Sequence, residues 1–66
     1  MSMGLTVDQV VSLVREGHSR FMHIHAAATK LLQVDALDQR VVDRLLQQAR
    51  RAGKVTYTSG DGWKVA

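Results

Sequence analysis

The spacing of apolar residues changes at Gly53, and few small folds accommodate such a change. Over residues 37–52 the apolar residues recur with a helical period of about 3.6. Over residues 55–58 and 63–65 they alternate with polar residues, as in strands with one buried face. Residues 59–62 have the sequence Ser-Gly-Asp-Gly, and glycines free to adopt positive φ are typical of a tight turn. The sequence therefore predicts a helix that ends at Gly53, followed by a β-hairpin.

A first helix is predicted to begin after Thr6. Thr6 and Gln9 have the spacing of a capping box, in which each side chain accepts a hydrogen bond from the backbone of the other residue. Gly17 is positioned to end this helix. Because valine has a low helix propensity, packing against the rest of the protein must stabilise the helix. Its apolar stripe is formed by Val7, Val10, Val11 and Val14.

The next segment allows two interpretations at its start. Residues 21–24, Phe-Met-His-Ile, fit either an extended strand or the beginning of a helix. Residues 26–32 are helical by composition, and a turn at about residues 33–35 then leads to the third helix. The spacing i, i+3, i+4, i+7, i+8 predicts one buried face, formed by Ile24, Ala27, Ala28, Leu31 and Leu32.

The third helix is predicted over about residues 35–52, with Asp35 followed by Asp38 at its start. Aspartate there can cap the first N–H groups, and its charge stabilises the positive end of the helix dipole. The core side is expected to consist of Leu37, Val41, Leu45 and Ala49. The outward side is then formed by Ala36, Gln39, Arg40, Asp43, Arg44, Gln47, Arg50 and Arg51.

Length and composition limit the domain count and the compartment. Sixty-six residues, 45% of them hydrophobic, suffice for one small domain, expected over residues 5–66. Residues 1–4, Met-Ser-Met-Gly, are expected to be a disordered leader or a cloning remnant. The chain has no cysteine and hence no disulfide, which fits a reducing compartment. No apolar run approaches 18 residues and no secretory signal is present, so we expect no membrane contact and a cytoplasmic, nucleoid or nuclear location.

The sequence also argues against catalysis and against a bound cofactor or metal. So short a chain offers few side chains to enclose a pocket, and we therefore expect neither an enzyme nor a small-molecule substrate. Ser19 with His23 or His25 would supply a nucleophile and a base, but nothing predicts an oxyanion hole beside them. Neither histidine has a carboxylate or cysteine close by in sequence, so these and His18 are expected to be partly exposed, titratable surface side chains.

The order of the predicted elements resembles that of a known superfamily. Residues 41–55, Val-Val-Asp-Arg-Leu-Leu-Gln-Gln-Ala-Arg-Arg-Ala-Gly-Lys-Val, form a long helix with a terminal glycine and lead into a strand. The glycine turn and residues 62–65, Gly-Trp-Lys-Val, complete a hairpin. From Thr6 to Ala66 the chain resembles the winged helix-turn-helix DNA-binding superfamily. The implied fold is α+β but mostly α, with three helices and a C-terminal β-hairpin as the wing. Two departures are the short wing and the lack of glycine in the turn between the second and third helices.

The resemblance implies double-stranded DNA binding by a small regulator of transcription or by one module of a larger protein. Its third helix (about 35–52) would enter the major groove, and its wing (about 54–66) would contact the flanking backbone. Arginine can bond guanine bidentately and glutamine can do so with adenine, while hydroxyls and lysine bind phosphate. The candidate DNA-binding residues are Gln39, Arg40, Arg44, Gln47, Arg51, Thr58, Ser59 and Lys64, with Thr56 a further wing candidate.

Several observations keep other interpretations open. Nine basic and six acidic residues give a net charge of only +3, and Asp43 falls in the middle of the proposed recognition face. The polar face of the third helix also fits an ordinary solvated helix, with Arg50 and Arg51 interacting with the helix dipole. Tyr57 and Trp63 either pack the hairpin onto the helices or stack on unpaired bases. The alternative function is a winged-helix protein-interaction module, with a protein partner or a second copy docking on the helices.

Overall fold

The computed structural model describes residues 4–66 as three helices followed by a two-stranded antiparallel sheet. This confirms the predicted α+β, mostly helical layout with a C-terminal hairpin. Of the leader predicted at residues 1–4, only Gly4 lies within the described residues. The elements are α1 (Val7–Arg15), α2 (Phe21–Leu32), α3 (Gln39–Arg51), β1 (Val55–Thr58) and β2 (Gly62–Val65).

Helix α1 has the predicted capping box at its start. The Gln9 backbone N–H donates to Thr6 Oγ1 at 3.2 Å, and the Thr6 N–H donates to Gln9 Oε1 at 2.9 Å. The buried side chains of Leu5 and Val10 flank this cap. After the helix ends, Gly17 adopts a φ of +111°, as predicted for the residue that ends α1.

Helix α2 includes residues 21–24, so this segment is the beginning of a helix rather than a strand. Ile24 and Ala28 are fully buried, as predicted. The prediction for Leu31 was wrong, since this side chain is 49% exposed. Leu31 lies on the same side of α2 as Ile24, but it borders an open groove between α1 and α2 rather than the core.

The connection between α2 and α3 is longer than predicted. Gln33 ends α2 in a left-handed conformation, with a φ of 57°, and residues 33–38 separate the two helices. The cap of α3 is Asp38 rather than Asp35, since Asp38 Oδ1 accepts from the Arg40 N–H at 2.9 Å. The Leu37 carbonyl accepts a hydrogen bond from His25 Nε2 instead of from an α3 N–H. This contact holds Leu37 outside the helix that the sequence pattern had assigned to it.

The core side of α3 also differs from the prediction. Val42, Leu46 and Ala49 are fully buried, whereas Val41 is 37% exposed and Leu45 is half-buried. The Val41-Val42 and Leu45-Leu46 pairs give α3 two adjacent apolar stripes, about 100° apart around the helix. Periodicity alone does not show which stripe faces the core. In the structure the stripe of Val42 and Leu46 faces it, on the side that packs against α1 and the hairpin.

The hairpin is attached to the helices through the loop between α1 and α2. Its strands pair Tyr57 with Trp63, and the Trp63 N–H donates to the Ser19 carbonyl at 2.7 Å. Gly62, with a φ of +79°, lies so close that a Cβ atom there would be 2.3 Å from the Ser19 oxygen. The Arg20 guanidinium donates to the Gly60 carbonyl at 3.1 Å and so links the start of α2 to the turn. A two-stranded hairpin is marginal alone, and it is held by these hydrogen bonds together with the burial of Val55 and Trp63 against the helices.

Within residues 4–66, no helix has both the length and the hydropathy needed to cross a bilayer.

Candidate nucleic-acid interface

Four of the predicted DNA-binding residues share the side of α3 opposite its core. Arg40, Arg44, Gln47 and Arg51 are spaced i, i+4, i+7 and i+11, which places them on one stripe of a helix. This stripe lies about 180° around the helix from the buried stripe of Val42, Leu46 and Ala49. The three arginines are exposed and Gln47 is half-buried. We call these four residues the α3 outer face.

The arginines of α3 are not neutralised by acidic neighbours. Within the described residues the two ion pairs are Lys54–Asp8, at 3.3 Å, and Lys64–Asp61, at 3.1 Å. The side chains of the four α3 arginines make no hydrogen bond or ion pair within residues 4–66. Arg50 and Arg51 occupy the last turn, where a positive charge also stabilises the negative end of the helix dipole. The helix therefore presents four cationic groups that are free to bind an anion.

Asp43 lies on the flank of the α3 outer face rather than in its middle. Helix geometry places it about 60–100° around α3 from Arg40, Arg44 and Arg51. Gln39 and Arg50 lie on the same flank, which faces the start of α2 and the hairpin. The Asp43 carboxylate therefore interrupts the basic face only at one edge.

A groove of about 390 Å³ separates α3 from the hairpin. Gln47 lines this groove, which explains why its side chain is half-buried. Tyr57 is 47% exposed, and its ring packs on Trp63 with centroids 5.0 Å apart. Trp63 is only 7% exposed, so its main role is to pack the hairpin onto the helices, and stacking on a base would have to involve Tyr57. We call this space the hairpin groove; it is lined by Ser19, Arg20, Phe21, Asp43, Gln47, Arg50, Tyr57 and Trp63.

The structure does not bring all the predicted wing residues to the α3 outer face. Thr58 and Ser59 are exposed at the hairpin turn, and Thr58 Oγ1 accepts from the Asp61 N–H at 3.1 Å. Lys64 pairs with Asp61 and borders a hollow beside Val14, Arg15 and Gly17, at the end of α1. Lys64 therefore lies beside the end of α1 and does not line the hairpin groove next to α3.

Three residues near the basic face were missing from the predicted set. Arg50 was placed on the outward side of the third helix and interpreted as a partner of the helix dipole, and it also lines the hairpin groove. Tyr57 was interpreted as a packing or stacking residue, and Arg20 lies in a loop that the sequence pattern left unassigned. The alternation of residues 55–58 was the signal that could have identified Tyr57 as a residue lining the groove. No sequence signal identifies Arg20, because only the tertiary fold brings it to the groove.

The three histidines lie in the loop before α2 and in α2 itself. Residues 4–66 contain no group of three or more histidine, cysteine or acidic side chains placed to hold a metal ion. His25 is engaged with the Leu37 carbonyl, and its ring stacks on Phe21 with centroids 6.2 Å apart. Its role in the fold is to connect α2 to the segment that precedes α3.

No family model, curated protein or solved structure matches this chain. The resemblance to winged helix-turn-helix domains stays a prediction from the sequence.

Proposed function

We propose that the protein is a winged-helix module that binds double-stranded DNA, with the α3 outer face in the major groove. The observation that best supports this is the set of three unpaired, exposed arginines and one glutamine on the solvent side of a single helix. Arginine and glutamine are the side chains that bond guanine and adenine bidentately. Helix α3 has 13 residues and is about 20 Å long, which suits a groove about 12 Å wide.

Binding begins with the phosphates. The arginines displace condensed counterions, and this supplies affinity that does not depend on sequence. Gln39, at the first turn of α3, and Thr58 and Ser59, at the hairpin turn, can donate to phosphate oxygens at either end of the site. The exposed Lys64–Asp61 pair is worth about 0–1 kcal/mol, so a phosphate can replace Asp61 as the partner of Lys64.

The size of the module sets its affinity. A single domain of this kind buries roughly 600–1,000 Å² on DNA and binds weakly alone. We therefore propose that it acts as a small regulator or as the DNA-binding part of a larger assembly, in which a second copy or a tethered partner raises the affinity.

A salt titration tests this function. We expect affinity for a labelled duplex to fall on the order of 10²-fold between ~50 and ~200 mM salt if about four phosphates are contacted. Arg44→Ala should weaken binding about 5- to 150-fold, since it removes a base or phosphate contact at the centre of the α3 outer face. Fluorescence anisotropy with short duplexes measures both effects.

Lys30→Ala is the matched control for this titration. Lys30 is exposed in the last turn of α2 and lines the groove between α1 and α2, so the substitution removes one positive charge away from the residues proposed to bind DNA. We expect it to change duplex affinity much less than Arg44→Ala. Undetectable binding by the unaltered protein at ~50 mM salt, where phosphate contacts are strongest, would refute the proposal.

A second candidate function, docking of a protein partner, is favoured by the surface between α1 and α2. An open groove of about 750 Å³ runs between these helices and is mainly apolar. Its α1 side consists of Gln9, Ser12, Leu13 and Glu16, and its α2 side of His23, Ala26, Ala27, Lys30 and Leu31. Residues at this spacing follow one stripe on each helix, which is the shape that an amphipathic helix would fill.

Leu31→Gln tests whether duplex binding depends on the groove between α1 and α2. Leu31 borders this groove and lies in α2, outside α3. If the protein acts on DNA, this neutral substitution should leave duplex affinity within about twofold, because it removes no charge from the electrostatic contacts. If the protein is an interaction module, the unaltered chain should show no duplex affinity in the same anisotropy assay. A large loss of duplex affinity in Leu31→Gln would contradict the assignment of DNA binding to α3.

A further inference from the structure

Asp43 is the one acidic residue in α3, and its carboxylate is unused in the fold. Arg40, Arg44 and Gln47 all lie within about one turn of it, yet its side chain forms neither an ion pair nor a hydrogen bond within residues 4–66. It lines the hairpin groove and also the hollow that Phe21, Gln39 and Arg40 form at the start of α3. An unpaired carboxylate therefore lies where the hairpin groove meets the pocket at the start of α3, and both border the basic face.

This position has a consequence for any duplex held by α3. A carboxylate repels phosphate, so Asp43 weakens binding unless a hydrogen-bond donor faces it. In the major groove guanine presents two acceptors, adenine an acceptor next to a donor, and thymine an acceptor and a methyl group. Cytosine presents an N4 amino donor and no acceptor. Cytosine is therefore the base edge that best matches a carboxylate.

We propose that Asp43 is a specificity-determining residue, which accepts a hydrogen bond from cytosine N4 and disfavours guanine at the same position. This inference rests on the proposed duplex-binding function. Arg40 lies about 4.5 Å before Asp43 along the helix axis, and Gln47 about 6 Å after it. Base pairs are about 3.4 Å apart, so the three side chains span about three base-pair steps and together favour a site that contains guanine, cytosine and adenine.

Asp43→Asn distinguishes base recognition from simple repulsion. If Asp43 only repels DNA, removing its charge raises the affinity for every duplex by a similar factor. If Asp43 selects cytosine, affinity rises for duplexes with another base at that position, and the preference for cytosine is lost. We expect the ratio of cytosine to guanine affinities to fall from about tenfold or more to below about twofold.

The experiment has two stages. Selection of bound duplexes from a pool with a randomised core first identifies the preferred site and the position that responds to Asp43. Anisotropy titrations then compare four duplexes that differ only in the base pair at that position, for the unaltered protein and for Asp43→Asn. Circular dichroism verifies that the exposed substitution leaves the helices intact.

Asp35→Asn is the matched control. Asp35 is exposed in the connection before α3 and is unpaired within residues 4–66, so this substitution makes the same charge change outside the helix. It should alter affinity for all four duplexes alike. A uniform change in Asp43→Asn, or an unaltered protein without preference for cytosine, would overturn this inference while leaving duplex binding in place. Failure of the unaltered protein to bind any duplex at low salt would instead overturn the proposed function, and this inference with it.

Discussion

Gly62→Ala is expected to lower the free energy of unfolding by about 2–5 kcal/mol. Gly62 has a φ of +79°, and an L-residue held in that region is strained by roughly 1–2 kcal/mol. The added Cβ would also lie 2.3 Å from the carbonyl oxygen of Ser19, which is backbone and cannot rotate away. The hairpin must move to relieve this overlap, and the hydrogen bond from the Trp63 N–H to Ser19 is then lost.

Substitutions at two other glycines distinguish the cost of backbone strain from the cost of steric overlap. A Cβ at Gly60 meets nothing within 4 Å, and its φ does not lie in the left-handed region, so Gly60→Ala should change stability by at most about 0.5 kcal/mol. Gly53 has a φ of +75° but open space around it, so Gly53→Ala should lose roughly 1–2 kcal/mol through strain alone. The excess of Gly62→Ala over Gly53→Ala then measures the close contact between the hairpin and the α1–α2 loop.

Urea unfolding, followed by circular dichroism and by fluorescence, measures this series. Trp63 is the only tryptophan in the chain and packs in the hairpin, so its emission reports local detachment. Hydrogen exchange of the Trp63 amide should accelerate in Gly62→Ala more than exchange of amides in the middle of α3. Equal stability of Gly62→Ala and Gly60→Ala would show that Ser19 does not restrain the hairpin.

The features that could be predicted from the sequence are those determined by neighbouring residues. The Thr6–Gln9 capping box, the positive φ of Gly53 and the hairpin turn each depend on local backbone geometry, although the turn occupies residues 59–61 and Gly62 begins β2. The close approach of Gly62 to Ser19 joins residues 43 positions apart, and no local pattern contains it. No local pattern contains the hydrogen bond from His25 to the Leu37 carbonyl either. This bond lies just before α3, which begins at Gln39 rather than near residue 35.

The solvent exposure of the α3 arginines was predicted more accurately than the core behind them. The expected core stripe included Val41 and the observed one includes Val42, a rotation of about 100° that periodicity could not resolve. Arg40, Arg44 and Arg51 nevertheless remain on the solvent side, because a polar arc wide enough for eight residues tolerates such a rotation. Asp43 was predicted in the middle of that polar arc and lies at its edge in the structure, because the rotation of the core stripe brings Asp43 closer to the core.

Leu46→Ala should have an effect of similar size on stability, by a different mechanism. Leu46 is fully buried on the core side of α3, and truncating such a leucine removes about 2–5 kcal/mol through lost burial and a residual cavity. A domain of this length has a total stability of roughly 3–10 kcal/mol, so the variant should lose a large part of it and unfold at a much lower urea concentration. The matched control is Leu31→Ala, where the side chain is half exposed and the expected change is within about 0.5–1 kcal/mol. Near-native unfolding midpoints for Leu46→Ala would contradict the packing described for α3.

The Leu46 variant also connects stability to the proposed function. Leu46 faces the core and contacts no DNA in the proposed complex, so its loss weakens duplex binding only by depleting the folded state. A ligand that binds the folded state alone stabilises it by about 2.7 kcal/mol at 100 times its Kd. Saturating duplex should therefore recover much of the stability that Leu46→Ala loses, measured as the urea unfolding midpoint at low salt. The double variant Leu46→Ala with Arg44→Ala, at the same duplex concentration, should recover less. Equal recovery of the two variants would mean that the duplex does not act through the α3 outer face.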